Sequence, residues 1–217
     1  MRQILKAKKK YSTLNTMLAG IERLFLSVVI GFVFPILLGL AGWWGSIPFV
    51  PEKSILYFAL GGFMLGVLLD IVFLRYWTRN ALRIPLLWPA LVYLFYSVGM
   101  FGFFMGVPAF NVVMGPVGGY YLGMRLRANG AQIDEVEREA KRTGLFTAFV
   151  LAVACASALV LASLDSSLEA NISGMFALAN PISKTILLTL SAVAGIGLVV
   201  LEYAITRATI KFARFFN

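Results

Sequence analysis

The sequence predicts an all-α polytopic integral membrane protein: a bundle of six transmembrane helices with both termini on the cytoplasmic side. Three observations carry that prediction. The 217-residue chain is 60% apolar and only 13% charged, where a soluble domain has roughly a quarter of its residues charged. The apolar residues gather into runs of about 20, which at about 1.5 Å per residue match a hydrocarbon core about 30 Å thick. Seventeen of the nineteen basic residues fall in the terminal arms and in alternate connections, the asymmetry expected of cytoplasmic segments.

The runs cover 24–44, 54–74, 86–105, 107–124, 145–164 and 185–206. In lipid every backbone N–H and C=O must be satisfied internally, and these runs far exceed the roughly 10 residues of a barrel strand, so each is expected to be a helix. Residues 1–23 form a basic cytoplasmic arm with Arg2, Lys6, Lys8, Lys9, Lys10 and Arg23. Leu14, Met17, Leu18 and Ile21 recur there at helical spacing, a pattern open to an interfacial helix or to an extended arm that fixes orientation. Residues 207–217 form a basic cytoplasmic tail with Arg207, Lys211 and Arg214. Only Lys53 and Lys184 lie on the opposite side.

Among the connections, Asn129-Gly130 signals a turn, after which DEVEREAKR can continue as a charged extension of the fifth helix, with Glu137 and Lys141 spaced i, i+4. The outer connection after 164 is long enough for a short helix faced by Leu168, Ile172, Met175 and Phe176. Trp43, Trp44, Trp77 and Trp88 stand at run ends, where aromatic belts form.

The net charge of +9 describes a rim facing anionic headgroups of a cell membrane. With no soluble domain to shape a basic groove, nucleic acid is not an expected partner. The single cysteine, Cys155, lies among Ala154, Ala156 and Ser157 and reads as a packing residue. The absence of histidine, together with that lone cysteine, removes imidazole catalysis and the common zinc and haem ligand sets. No phosphate-cradling glycine motif occurs either. The chain is therefore expected to act without metal or cofactor and not as an enzyme.

Candidate functional residues come from what is costly in lipid. Asp70 and Glu202 are the acids inside the apolar runs, each five residues before an arginine, Arg75 and Arg207. A carboxylate at a helix centre costs about 2.5 to 3.5 kcal/mol on insertion scales, so each is expected to face protein or water. They suit a proton or cation relay, or an anchor for an amine or hydroxyl; alternatively they form ion pairs with the inner basic rim. In the fourth run Pro116 removes an N–H, which is expected to free the carbonyl of Val112 and kink the helix beside Asn111. Tyr93, Tyr96 and Ser97 in the third run, with Tyr120 and Tyr121 in the fourth, could line a polar pocket.

Glycines offer a competing reading. Gly115, Gly119 and Gly123 form overlapping GxxxG spacings, and Gly62 with Gly66 and Gly102 with Gly106 repeat them. Such stripes let membrane helices approach closely. Two functions follow: a transport protein for a small molecule or ion, or the membrane subunit of a transport system; and a non-catalytic scaffold assembling through small-residue stripes as a homo-oligomer or with a partner subunit.

Overall fold

The computed structural model describes residues 19–175 and 182–215. Residues 1–18 of the basic arm, whose pattern left an interfacial helix or an extended arm open, and Phe176 lie outside the described residues, whereas residues 19–23 open the first helix. Among the described residues every regular element is helical. Four helices are long and apolar enough to cross a membrane: Ala19–Ser46, Glu52–Asn80, Ile133–Leu164 and Lys184–Arg214. They carry the first, second, fifth and sixth apolar runs, and their lengths and apolar surfaces mark the chain as a membrane protein. The chain divides into two compact units, the first ending at Ile84 and the second covering Pro85–Phe215.

The first unit is an antiparallel pair, α1 (Ala19–Ser46) and α2 (Glu52–Asn80). Pro35 has no N–H to donate, and α1 adjusts with a turn at Phe32. The Phe32 N–H still reaches Val28 at 3.3 Å and the Ile36 N–H reaches Phe32 at 3.2 Å, so the helix continues. Extended Pro51 opens α2, and Glu52 in its first turn complements the helix dipole. Glycines set the separation. A Cβ built on Gly62 would run into the carbonyl of Leu38, one on Gly42 into that of Phe58, and one on Gly66 would lie 2.5 Å from the Pro35 backbone.

The second unit begins with α3 (Leu87–Phe103), 17 residues long. Met105 (φ 55°) and Gly106 (φ 81°) turn the chain in the left-handed region and lead into a 3-10 helix, Pro108–Val113, then α4 (Met114–Ala128). The fourth run is thus split by a change of helix type. Pro116 falls in the first turn of α4, where a missing N–H costs little. The expected freeing of Val112 is not what the backbone does, because the Met114 N–H donates to the Asn111 and Val112 carbonyls.

Gly130 (φ 66°) closes α4. Its N–H reaches Arg127 and the Ala131 N–H reaches Leu126, each at 3.0 Å, the double bond of a Schellman cap. Then follow α5 (Ile133–Leu164), the short α6 (Leu168–Met175) and α7 (Lys184–Phe215). The charged extension of the fifth run is therefore helical, and α7 continues through residues 207–215 without a break.

Helix α7 organises this unit. It runs antiparallel to α5, with Gly195 against Cys155 and Gly144 against Tyr203 and Arg207. It runs parallel to α4: Cβ atoms on Gly115, Gly119 and Gly123 would lie 2.6 Å from Glu202, 2.8 Å from the Thr206 carbonyl and 2.6 Å from Ala213. Beyond these contacts, Leu122, Leu126, Ala131, Val136, Ala140 and Ile210 close into an apolar cluster.

Candidate functional site: a buried carboxyl among three helices

Glu202 sits at the middle of α7 and is fully buried, as is Thr206 one turn later. The reason is local. Gly115 on α4 has no side chain, so the glutamate carboxyl and the Thr206 hydroxyl lie within 2.8 Å of where a Cβ would stand. From α3 the Tyr93 hydroxyl donates to Oε1 of Glu202 at 3.0 Å. From α5 the Thr147 hydroxyl meets that of Thr206 at 2.9 Å, and Thr147 also bonds the Gly144 carbonyl at 3.1 Å. Oε2 of Glu202 is buried with no hydrogen-bond partner.

One turn from the Tyr93 level on α3, Ser97 offers its carbonyl to the Asn111 amide Nδ2 at 2.8 Å. Asn111 is 3% exposed and its Oδ1 has no partner. Because α3 runs opposite to the segment holding Asn111 and Gly115, the two pairs stack as successive polar layers within an apolar unit. Of the sequence candidates, Glu202, Tyr93 and Asn111 are thus gathered in one column, with Pro116 flanking it from the residue after Gly115. Tyr96 packs its ring edge-on to Phe95 at 5.4 Å.

At one end the column meets charge. Arg207 donates to Oε1 of Glu137 and to the Tyr203 hydroxyl, and Lys211 approaches Glu137 at 2.6 Å. The bond from Lys211, with Arg207 beside it, holds the Glu137 carboxyl below the usual range. Glu137 therefore bridges to α7 rather than pairing along α5 with Lys141. Arg207, just past the sixth run, goes to Glu137, not to Glu202.

Asp70 belongs to the first unit. It is 7% exposed, and its Oδ1 has no partner. It lines a groove of about 540 Å³ between α1 and α2, with Arg23, Ser27, Gly31, Pro35, Arg75 and Thr78 among the lining residues. The glycines differ by place. Gly62, Gly66, Gly115, Gly119 and Gly123 meet a neighbouring helix, whereas Gly102 has open space and Gly106 meets only the ring of Phe101.

Thr147 and Thr206 escape a sequence reading. Threonine in a membrane helix commonly bonds its own preceding turn, so neither draws notice. The available signal is that Thr206 lies four residues after Glu202 and so shares its face. Among the described residues, no group of three or more His, Cys, Asp or Glu side chains is placed to hold a metal.

Compared with protein-family models, with characterised proteins and with solved structures, the chain matches none.

Proposed function

We propose that this chain is a transport protein for a small molecule or ion, or the membrane subunit of a transport system. The observation that carries the reading is Glu202: a carboxyl with no exposed surface, one hydrogen bond and one unpartnered oxygen. A buried ionisable group in a membrane helix is costly, and here no basic side chain among the described residues neutralises it. The unpartnered Oδ1 atoms of Asn111 and Asp70 add two more sites that a ligand or ion would satisfy. The protein acts without catalysis, metal or cofactor.

In this reading all six apolar runs cross a cell membrane, α3 and the 3-10/α4 segment forming the third and fourth crossings. Both termini face the cytoplasm, with the basic rim on anionic headgroups. The test is flux in sealed proteoliposomes, comparing the native chain with Glu202→Gln and Asp70→Asn. Loss of flux in Glu202→Gln at unchanged helicity is expected; equal flux in all three would show that the carboxylates are not the mechanism, and no flux in the native chain would end the assignment.

The stripe of Gly115, Gly119 and Gly123 is taken up by α7 within the chain, but the open space beside Gly102, whose Cβ position meets nothing within 4 Å, supports a second reading, a scaffold whose helix stripes serve assembly as a homo-oligomer or with a partner subunit. Co-purification separates the two: a stable complex lost on Gly102→Leu, with no flux in the native chain, favours the scaffold.

A further inference from the structure

The surroundings of Glu202 restrict which ion it can hold. A metal cation requires a shell of several oxygens, six or more for the hard divalent ions at about 2.0 to 2.6 Å. The Thr206 hydroxyl, which lies with Oε2 beside the Cβ position of Gly115, is already bonded to Thr147, and Oε1 is engaged by Tyr93. On the α4 side stands the backbone of Gly115, so close that its Cβ position is 2.6 Å from Oε2. Among the described residues there is oxygen for one bond and no shell for a metal.

We propose that the ion this site takes is a proton, bound covalently at Oε2 of Glu202 to give a neutral carboxylic acid. The inference rests on the transport reading above and specifies its coupling ion. The step balances simply: a water-borne proton joins one lone pair of Oε2 and leaves by the same bond.

The groups facing the carboxyl are accounted for element by element. Helix α3 presents the Tyr93 phenol; α4 presents Gly115; α5 presents Thr147, through its bond to Thr206; and the 3-10 segment places neutral Asn111 one turn away. On α7 itself the facing group is Thr206, and the next charge, Arg207, is committed to Glu137 together with Lys211. An anion at Oε2 would stand without a cation and with one donor on the opposite oxygen, the arrangement in which a buried carboxyl keeps its proton.

Tyr93 is the positioning residue. Its bond to Oε1 orients the acid so that Oε2 carries the proton, and the Thr206–Thr147 pair continues the hydroxyl column toward Arg207 and Glu137.

Infrared spectroscopy of the full chain in lipid at neutral pH tests the proposal directly. The expected result is a protonated-carboxyl C=O band that shifts in D2O, disappears in Glu202→Gln and is unchanged when sodium is exchanged for potassium or choline. Absence of the band, its persistence in Glu202→Gln, or its conversion to carboxylate by sodium overturns the proposal. Should Glu202→Gln fail to fold, Tyr93→Phe decides: losing its hydrogen bond must move the band to higher frequency, and an unmoved band refutes the assignment. Because the band is read without transport, flux without it rejects the proton alone, and the band without flux rejects the transport reading alone.

Discussion

Replacing Gly66 by alanine puts one methyl group between α1 and α2, and the structure sets its cost. The new Cβ would lie 2.5 Å from the Cα and N of Pro35 and 2.6 Å from the carbonyl carbon of Phe34. Carbon atoms pack optimally at about 3.5 to 4.0 Å, so the deficit is about 1 Å against backbone atoms that cannot rotate away. The helices must therefore separate, and gaps of that size forfeit about a quarter to a half of each affected dispersion contact. Overpacking of this kind costs about 1 to 3 kcal/mol, while alanine recovers up to about 1 kcal/mol of helix propensity. The net expectation is about 1 to 2 kcal/mol of destabilisation, about a tenfold shift in the folded-to-unfolded ratio. Gly61→Ala is the matched control, since nothing lies within 4 Å of its Cβ position and alanine there is expected to be neutral or stabilising. Reversible unfolding in detergent or bicelles measures both. If Gly66→Ala equals the native chain, or Gly61→Ala falls as far, the close contact between α1 and α2 does not exist as described.

Thr147→Val removes the hydroxyl bonded to Thr206 and is expected to cost about 0.5 to 1.5 kcal/mol in the same unfolding assay; an unchanged midpoint would show that the pair is not formed. Asn111→Leu removes the amide bonded to the Ser97 carbonyl, which keeps its partner within α3, so a loss of about 0.5 to 1.5 kcal/mol in the same assay is expected. Glu137 has a folded-state carboxyl held low, so its contribution is present above the ordinary glutamate range and is lost as pH falls through the folded value. Hydrogen-exchange protection factors over residues 133–142, corrected for the intrinsic pH dependence of amide exchange, should fall in acid, and Glu137→Gln should remove that fall. Cys155, buried against Gly195, should resist maleimide labelling in the folded protein and react once it is unfolded; rapid labelling of the native chain would contradict the packing of α5 on α7.

The helical class and membrane character are legible in the sequence because both follow from composition and run length alone. The Schellman turn at Gly130 is legible for a similar reason: a left-handed residue closing a helix favours glycine whatever surrounds it. Pro116 shows where such reasoning stops. In isolation a proline inside an apolar run predicts a kink, but whether it interrupts a helix or begins one depends on where the preceding turn ends. Here Gly106, Met105 and Pro108 start the segment late, so the proline falls in the first turn of α4. The glycine spacings show the same limit. Gly119 meets a backbone and Gly102 meets nothing, because spacing defines a face without saying what covers it.

The sequence by itself determined that this protein is apolar enough to live in a bilayer, that its elements are helices, and that Asp70 and Glu202 are the acids most costly to bury there. These are properties of single residues and their immediate neighbours in the chain. Only the tertiary structure decided that Glu202 meets Tyr93 across 109 positions of sequence, that Thr147 and Thr206 join it, that Arg207 serves Glu137 instead, and that Asp70 belongs to a separate helix pair. Hydrogen bonds act over about 3 Å, and which donors come within that reach is settled by how closely glycine lets α4 approach α7.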